Sequence, residues 1–147
     1  MRGRFGGQAG AAAVEFALCL IPLLLIVAAI VDYGELWYMQ SVIATASREG
    51  ARYGTRYQTN PQTGQRVAPI NLNPTIETWV TSNYSGLLPA NANLTVTPGG
   101  SGYSTGTTGA AVSVAVAAQK HYFILNNLMP GLTNPQPLNS TTIMTCE

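Results

Sequence analysis

Charged side chains are scarce in this chain of 147 residues, in which Asp, Glu, Lys and Arg together make up 9%. A typical soluble domain carries about a quarter. Seven Lys and Arg stand against six Asp and Glu, so the net charge is close to zero. The chain therefore offers no general electrostatic attraction to nucleic acid, and we expect no nucleic-acid partner.

Cysteine and histidine are equally scarce. The two cysteines, Cys19 and Cys146, lie in an apolar run and at the penultimate position, and His121 is the single histidine. We expect no intrachain disulfide, and two isolated thiols lack the spacing of a zinc site. The acidic residues are dispersed, which indicates neither a two-carboxylate site nor a calcium loop. We therefore expect no enzyme activity, no metal, no cofactor and no small-molecule substrate.

One long apolar run is present. Between Ala11 and Val31 the sequence contains a single ionisable carboxylate, Glu15, and no basic residue. A helix of this length rises about 30 Å, the hydrocarbon thickness of a bilayer. We predict a transmembrane helix over 11–31. Arg2 and Arg4 precede it, which favours a cytoplasmic N-terminus and an external domain.

Three processing routes compete for this N-terminus. A secretory signal would be cut after the apolar run, with Ala28-Ala29 as the candidate site, but the run is longer than a usual signal core. A lipoprotein signal is excluded because the apolar stretch follows Cys19 instead of preceding it. The third route cuts between Gly10 and Ala11 and keeps the helix as a permanent anchor.

The helical pattern continues beyond the apolar run. Apolar or small residues recur with alternating spacings of three and four, which predicts one helix from about Ala11 to about Tyr57; they are Leu36, Met39, Ile43, Ala46, Gly50, Tyr53 and Tyr57. This face is expected to cover the chain's own domain, with Gly34, Gly50 and Gly54 permitting close approach. Another face carries Arg48, Arg52 and Arg56 and is expected to be solvated. Trp37 and Tyr38 follow the apolar run, where amphipathic aromatics anchor at the membrane interface.

The remaining sequence predicts short elements. Residues 58–73 read as a loop, and Asn73-Pro74 reads as the start of a short helix that ends near Tyr84. Strands are expected at 94–97, 110–118 and 138–146, with a turn or hairpin loop at 101–109. Pro98-Gly-Gly is expected to stop the first strand. In the second strand Val112, Val114 and Val116 should share one face. Residues 121–129 read as a short helix or an apolar loop; their side chains form either core, which we favour, or a patch for a partner. The fold class is α+β, with the long N-terminal helix packed on a small antiparallel sheet.

The N-terminal third resembles the TadE-like family of the tight-adherence (type IVc) pilus system, which is related to type IV pilins. The resemblance runs from Gly10 to Tyr57 and rests on four blocks: Gly-Ala-Ala-Ala-Val-Glu-Phe-Ala from Gly10, Ile-Pro-Leu-Leu-Leu from Ile21, Asp-Tyr-Gly-Glu-Leu-Trp from Asp32, and Ala-Ser-Arg-Glu-Gly-Ala-Arg-Tyr-Gly from Ala46. It implies a pilin-like architecture and cleavage after Gly10 by a prepilin peptidase, so that Ala11 becomes the first residue. It also implies an assembly role for Glu15, followed here by Phe16 where related motifs often have Tyr.

The resemblance divides the chain into a leader (1–10), a transmembrane helix (11–31), its amphipathic continuation (32–57) and an extracytoplasmic domain (58–147). It implies a bacterial inner-membrane protein that enters an adhesive pilus as a minor subunit or helps to assemble it, with other pilus proteins as partners. Two alternatives remain open: a stationary assembly factor, and a secreted binding domain released by an ordinary signal.

Glu15 likewise has two interpretations. It is either a carboxylate at the head-group level helped by the helix dipole, or the partner of the Ala11 α-amino group of a neighbouring subunit.

Overall fold

The fold, seen in a computed structural model, is a long helix against one face of a three-stranded sheet. Residues 6–123, 125 and 131–147 are described, with side chains from Gly10 onward. The helices are α1 (Gly6–Thr55), α2 (Ile76–Tyr84) and the short α3 (Ser101–Thr105); the strands are β1 (Thr95–Gly99), β2 (Ala111–Lys120) and β3 (Gln136–Thr145). The sheet is antiparallel in the order β1-β2-β3. The predicted α+β class is confirmed.

Helix α1 is continuous through the apolar run and the amphipathic continuation. It begins at Gly6 and ends at Thr55, whereas the sequence predicted Ala11 and Tyr57, and it contains Pro22. Its last carbonyl is partly satisfied from outside the helix: the Thr55 carbonyl accepts from the Arg66 guanidinium at 3.4 Å and from the Glu147 amide at 3.5 Å. A cation at the negative end of a helix dipole is favourable. Arg66 and the C-terminal residue thus close the distal end of α1.

The core lies between α1 and the inner face of β2. Val112, Val114 and Val116 all point inward and are at most 1% exposed, as their alternation predicted. Opposite them on α1, Met39, Ile43, Ala46 and Gly50 are buried, while Leu36 and Tyr53 are half-buried. The prediction that this face covers the chain's own domain is confirmed for these positions. It is wrong for Tyr57, which lies past the end of α1 and is 59% exposed.

Two of the three helix glycines permit close packing. A Cβ added at Gly50 would lie 2.7 Å from Val80 Cγ2, and one added at Gly54 would lie 2.5 Å from Ile76 Cδ1. At these positions α2 packs directly on the α1 backbone, as the sequence suggested. Gly34 differs, because a Cβ there would meet nothing within 4 Å. Within the described chain nothing packs on Gly34, so the close approach expected there is not made by this chain's own domain.

This contrast predicts opposite outcomes for the same substitution. Gly50→Ala is expected to destabilise the domain by about 1–2 kcal/mol, since overpacking a rigid valine exceeds the gain in helix propensity. Gly34→Ala, the matched control, is expected to cost nothing and to gain up to about 1 kcal/mol. Urea unfolding of the full chain in detergent, followed by tryptophan fluorescence, measures both. Equal stability of the two variants would contradict the packing argument.

A polar contact also joins α1 to the sheet. The Ser47 side chain is fully buried, and its hydroxyl lies 3.0 Å from Ser140 Oγ and 2.9 Å from Thr142 Oγ1. A buried hydroxyl without a partner is costly, so these two side chains of β3 make the serine tolerable in the core. They also orient β3 along α1.

Several element boundaries differ from the sequence prediction. The cap of α2 is Thr75, whose hydroxyl accepts from the Thr78 amide, and not Asn73. Strand β1 continues through Pro98 and Gly99, which were expected to stop it; an edge strand tolerates proline because one side of its backbone is unpaired. Strands β2 and β3 run to Lys120 and begin at Gln136, each two residues beyond the predicted bound. Residues 101–105 form α3 instead of a simple turn, between Gly100 and Gly106, which both have positive φ.

Candidate functional site

The apolar part of α1, from Gly10 to Val31, is not buried by the rest of the described chain. None of the side chains from Gly10 to Val31 is buried, although nearly all are apolar. By length and composition, α1 is the one described helix that could cross a membrane, and a signal sequence near an N-terminus would pass the same test. Exposed apolar surface on this scale indicates contact with a lipid or a protein partner.

The residues predicted for processing and assembly all lie on this uncovered part of α1. Gly10 and Ala11 are exposed and fall within the helix, about one turn before Glu15, or about 6 Å along the axis. Glu15 is exposed, and so is Phe16 at 68%. No other element of the described chain brings a side chain to this group. Among the described side chains, none is ion-paired with the Glu15 carboxylate.

A cluster of three charged side chains marks the point where α1 leaves its apolar run. Lys120 Nζ lies 3.7 Å from Asp32 Oδ1 and also donates to Glu35 Oε2. The Lys120 and Asp32 side chains are only 2% and 4% exposed, whereas Glu35 is 40% exposed. We call Asp32, Glu35 and Lys120 the boundary cluster. It joins the end of β2 to α1.

Lys120 reaches this position because of its place in β2. The inward face of β2 runs through Val112, Val114, Val116 and Ala118, and the next residue on that face is Lys120. A buried ammonium requires paired charge, which two acids one turn apart on α1 supply. The sequence did not indicate this cluster, because the predicted strand ended at Ala118 and the acids are dispersed along the chain. Continuing the alternation by one more step would have indicated it.

Asp32 also holds the chain that follows β2. Its Oδ1 accepts from the Phe123 amide at 3.2 Å and its Oδ2 accepts from the Leu125 amide at 3.3 Å. Lys120 Nζ lies 5.7 Å from the centre of the Tyr122 ring, a cation–π distance. We call residues 121–123 with 125 the post-β2 segment. The core position favoured for it is wrong at Phe123, which is 87% exposed; Leu128 and Met129 lie outside the described residues.

Aromatic side chains surround the same level of α1. Trp37 is 62% exposed and Tyr38 is 51% exposed, so both are available to an interface as predicted anchors. Tyr33, 57% exposed, contacts Trp37 edge to face with 6.3 Å between ring centres. Rings of this kind collect where one end of a side chain is in lipid and the other is wet.

Farther along α1, the three arginines form an exposed row. Arg48, Arg52 and Arg56 are all exposed, as expected for a solvated face. Within the described part of the chain both ion pairs involve Lys120, so none of these arginines is paired with an acid. Nearby, partial burial raises the pKa of the Tyr84 phenol, and the Glu49 carboxylate raises it further. Tyr84 therefore stays neutral at physiological pH.

The described residues show no arrangement for metal or thiol chemistry. Among residues 6–123, 125 and 131–147 no three His, Cys, Asp or Glu side chains lie together as metal ligands. Cys19 is exposed on α1, Cys146 is buried beside α3, and both are free thiols. His121 is half-buried at the start of the post-β2 segment.

The comparison with protein families bears on the helix that carries these features. The family model described as TadE-like protein matches residues 10–52. Residues 10–52 are thus similar to TadE-like proteins. This TadE-like segment includes Glu15 and two members of the boundary cluster, Asp32 and Glu35, and it ends before α2. No curated protein and no solved structure matches the chain.

The TadE-like segment is somewhat shorter than the resemblance suggested by the sequence, which ran to Tyr57. The matched residues include the exposed apolar part of α1 and the part of α1 that packs on the domain, and they include no strand. Lys120, the third member of the boundary cluster, lies outside it. The family match therefore supports a pilus-related, membrane-associated protein and leaves the finer role of the chain to other arguments.

Proposed function

We propose that this protein is a pilin-like subunit or assembly component of a tight-adherence pilus, anchored in the bacterial inner membrane by residues 11–31. The observation that carries the proposal is the uncovered apolar start of α1 within the TadE-like segment, with Gly10 and Glu15 at its entrance. The helix is inserted with its N-terminus in the cytoplasm, because Arg2 and Arg4 precede it. The sheet and the distal part of α1 then lie outside the membrane.

A prepilin peptidase removes residues 1–10 under this proposal. The cut leaves the membrane helix intact and creates an α-amino group at Ala11. Glu15 lies about one turn farther along its own chain, near the end of the helix that carries the new amino group. An exposed carboxylate in a water-poor region gains most from a cation on a neighbouring subunit. Processing would thereby supply the charge that Glu15 uses in assembly.

N-terminal sequencing and intact mass of the membrane-extracted protein test the processing step. We expect a start at Ala11 in cells that contain prepilin peptidase and a start at Met1 in cells that lack it. Gly10→Leu should block the cut, whereas Gly34→Leu should not; a Cβ at either position meets nothing within 4 Å, so neither substitution disturbs the isolated fold. A mature start near Ile30 would instead establish an ordinary secretory signal and a released binding domain.

The remaining alternative is a stationary assembly factor that never enters the fibre. Mass spectrometry of sheared, purified pili separates the two roles. Peptides of residues 58–147 in the pilus fraction, at a constant ratio to the major subunit, are expected for a minor pilin. Their restriction to the inner-membrane fraction would assign the protein to the assembly machinery.

A further inference from the structure

Phe123 is the most exposed large apolar side chain of the described residues, at 87%. It follows the buried Lys120 by only three positions, so its location is tied to the boundary cluster. An isolated phenylalanine at a surface is ordinary. This one is notable for its position along α1 and for what holds its backbone there.

The post-β2 segment lies beside the apolar part of α1. Phe123 lines a groove of about 670 Å³ together with Leu24, Val27 and Val31. Leu125 lines a second groove of about 550 Å³, on a helix face that includes Ile26 and Ile30. All five helix residues precede Asp32 and belong to the predicted membrane span. The chain that leaves β2 therefore passes the boundary cluster and continues toward the membrane side.

Two backbone amides of this segment, those of Phe123 and Leu125, have hydrogen-bond partners. An amide that enters lipid without a partner is costly, so irregular backbone is rarely exposed there. The Asp32 carboxylate accepts the amides of Phe123 and Leu125 with one oxygen each. Lys120 counters the charge of Asp32 at the same point. The segment thus presents apolar side chains while the amides of Phe123 and Leu125 are satisfied by Asp32.

We propose that Phe123 and Leu125 insert into the lipid interface beside the membrane helix and form, with Trp37 and Tyr38, a second contact of the external domain with the bilayer. This rests on the proposed membrane placement of residues 11–31. Lipid is the occupant favoured by the observations, because the grooves open onto the helix segment that lipid would surround, and because the exposed rings of Trp37 and Tyr38 follow within two turns of Asp32. The domain would consequently lie against the membrane in one orientation instead of swinging on the helix.

Depth-dependent quenching of single-tryptophan variants tests the insertion. The background is the full chain with Trp37→Phe and Trp79→Phe. Phe123→Trp reports on the post-β2 segment and Leu24→Trp reports on the membrane helix. Ile143→Trp is the matched control: it is also an exposed apolar site, at 67%, but its partner on β2 is Ser113, about 23 Å along the strand from Lys120. Each variant is reconstituted at low protein density in phosphatidylethanolamine–phosphatidylglycerol vesicles with acyl chains brominated near the head groups.

We expect the brominated lipid to quench the reporters at positions 24 and 123 at least threefold more than the reporter at position 143. Quenching at 24 with none at 123 would overturn the insertion and leave the proposed membrane anchor standing. No quenching at 24 would overturn the membrane placement itself, and the insertion with it. A reporter at 123 that escapes lipid quenching but shifts to shorter wavelength as protein density rises would show that a second copy covers this surface, which also overturns the inference.

Discussion

Replacing Lys120 with methionine is expected to destabilise the domain formed by the sheet and the distal part of α1 by about 3–5 kcal/mol, because it removes the Lys120 charge that faces the buried Asp32 carboxylate. Methionine keeps most of the side-chain length, so the loss is one of charge and not of volume. The Asp32 side chain is 4% exposed and already accepts two backbone amides, which fix it in place and prevent escape to water. Urea unfolding of the full chain in detergent measures the difference as a shift of the midpoint.

The two acids of the boundary cluster provide the controls. Glu35 is 40% exposed, so Glu35→Gln is expected to cost about 1 kcal/mol or less, as for other solvent-screened pairs. The double variant Asp32→Asn with Lys120→Met removes both buried charges and should recover part of the loss, with a coupling energy of about 0.5–3 kcal/mol. Two outcomes would refute the assignment of the buried pair. One is a Lys120→Met protein as stable as the wild type, and the other is a Glu35→Gln protein destabilised as much as the Lys120→Met protein.

Replacing Glu15 with glutamine is expected to leave membrane insertion intact and to deplete the protein from pili. A hydrogen bond to a charged group contributes about 1.5–3 kcal/mol, so loss of the carboxylate should lower incorporation roughly tenfold to a hundredfold. Glutamine has nearly the same size and is easier to place in lipid, so insertion does not suffer. Quantitative mass spectrometry of sheared pili and of the membrane fraction measures the two pools separately.

Glu77→Gln is the matched control for this prediction. Glu77 is also exposed, but it lies in the first turn of α2, outside the membrane helix and the TadE-like segment. This variant is expected to reach pili at the wild-type level. Normal pilus content of the Glu15→Gln protein would show that the carboxylate is only an interfacial side chain. Loss of the variant from the membrane fraction would point to a role in insertion instead of assembly.

Patterns within single elements were read correctly from the sequence because they depend on local periodicity. The alternation of Val112, Val114 and Val116 follows from the pleat of a strand, and the face from Met39 to Gly50 follows from the pitch of a helix. The errors fall where the outcome depends on a neighbour. Pro98 was read as a strand terminator, yet it is tolerated in an edge strand, and Gly34 was grouped with Gly50 although only Gly50 has a helix packed on it.

The residues of the candidate site were likewise predictable only where they lie close together in the sequence. Gly10 and Glu15 could be singled out because the glycine, the acid and the apolar helix are adjacent in sequence. The boundary cluster could not, since Lys120 is 85 positions from Glu35 and the two meet only after β2 has packed on α1. Phe123 was assigned to the core on hydrophobicity alone. Its exposure depends on where the Asp32 carboxylate holds the backbone.

The sequence by itself therefore determined the long helix, its membrane-length apolar start, the α+β class and the TadE-like character of the N-terminal third, because each is carried by residues close together in the chain. Only the tertiary structure decided how the domain is attached to that helix. Besides the apolar core, the attachment uses one buried ammonium and two carboxylates brought together from distant positions. Their pairing is favourable in that buried place because a lone charge there would be costly.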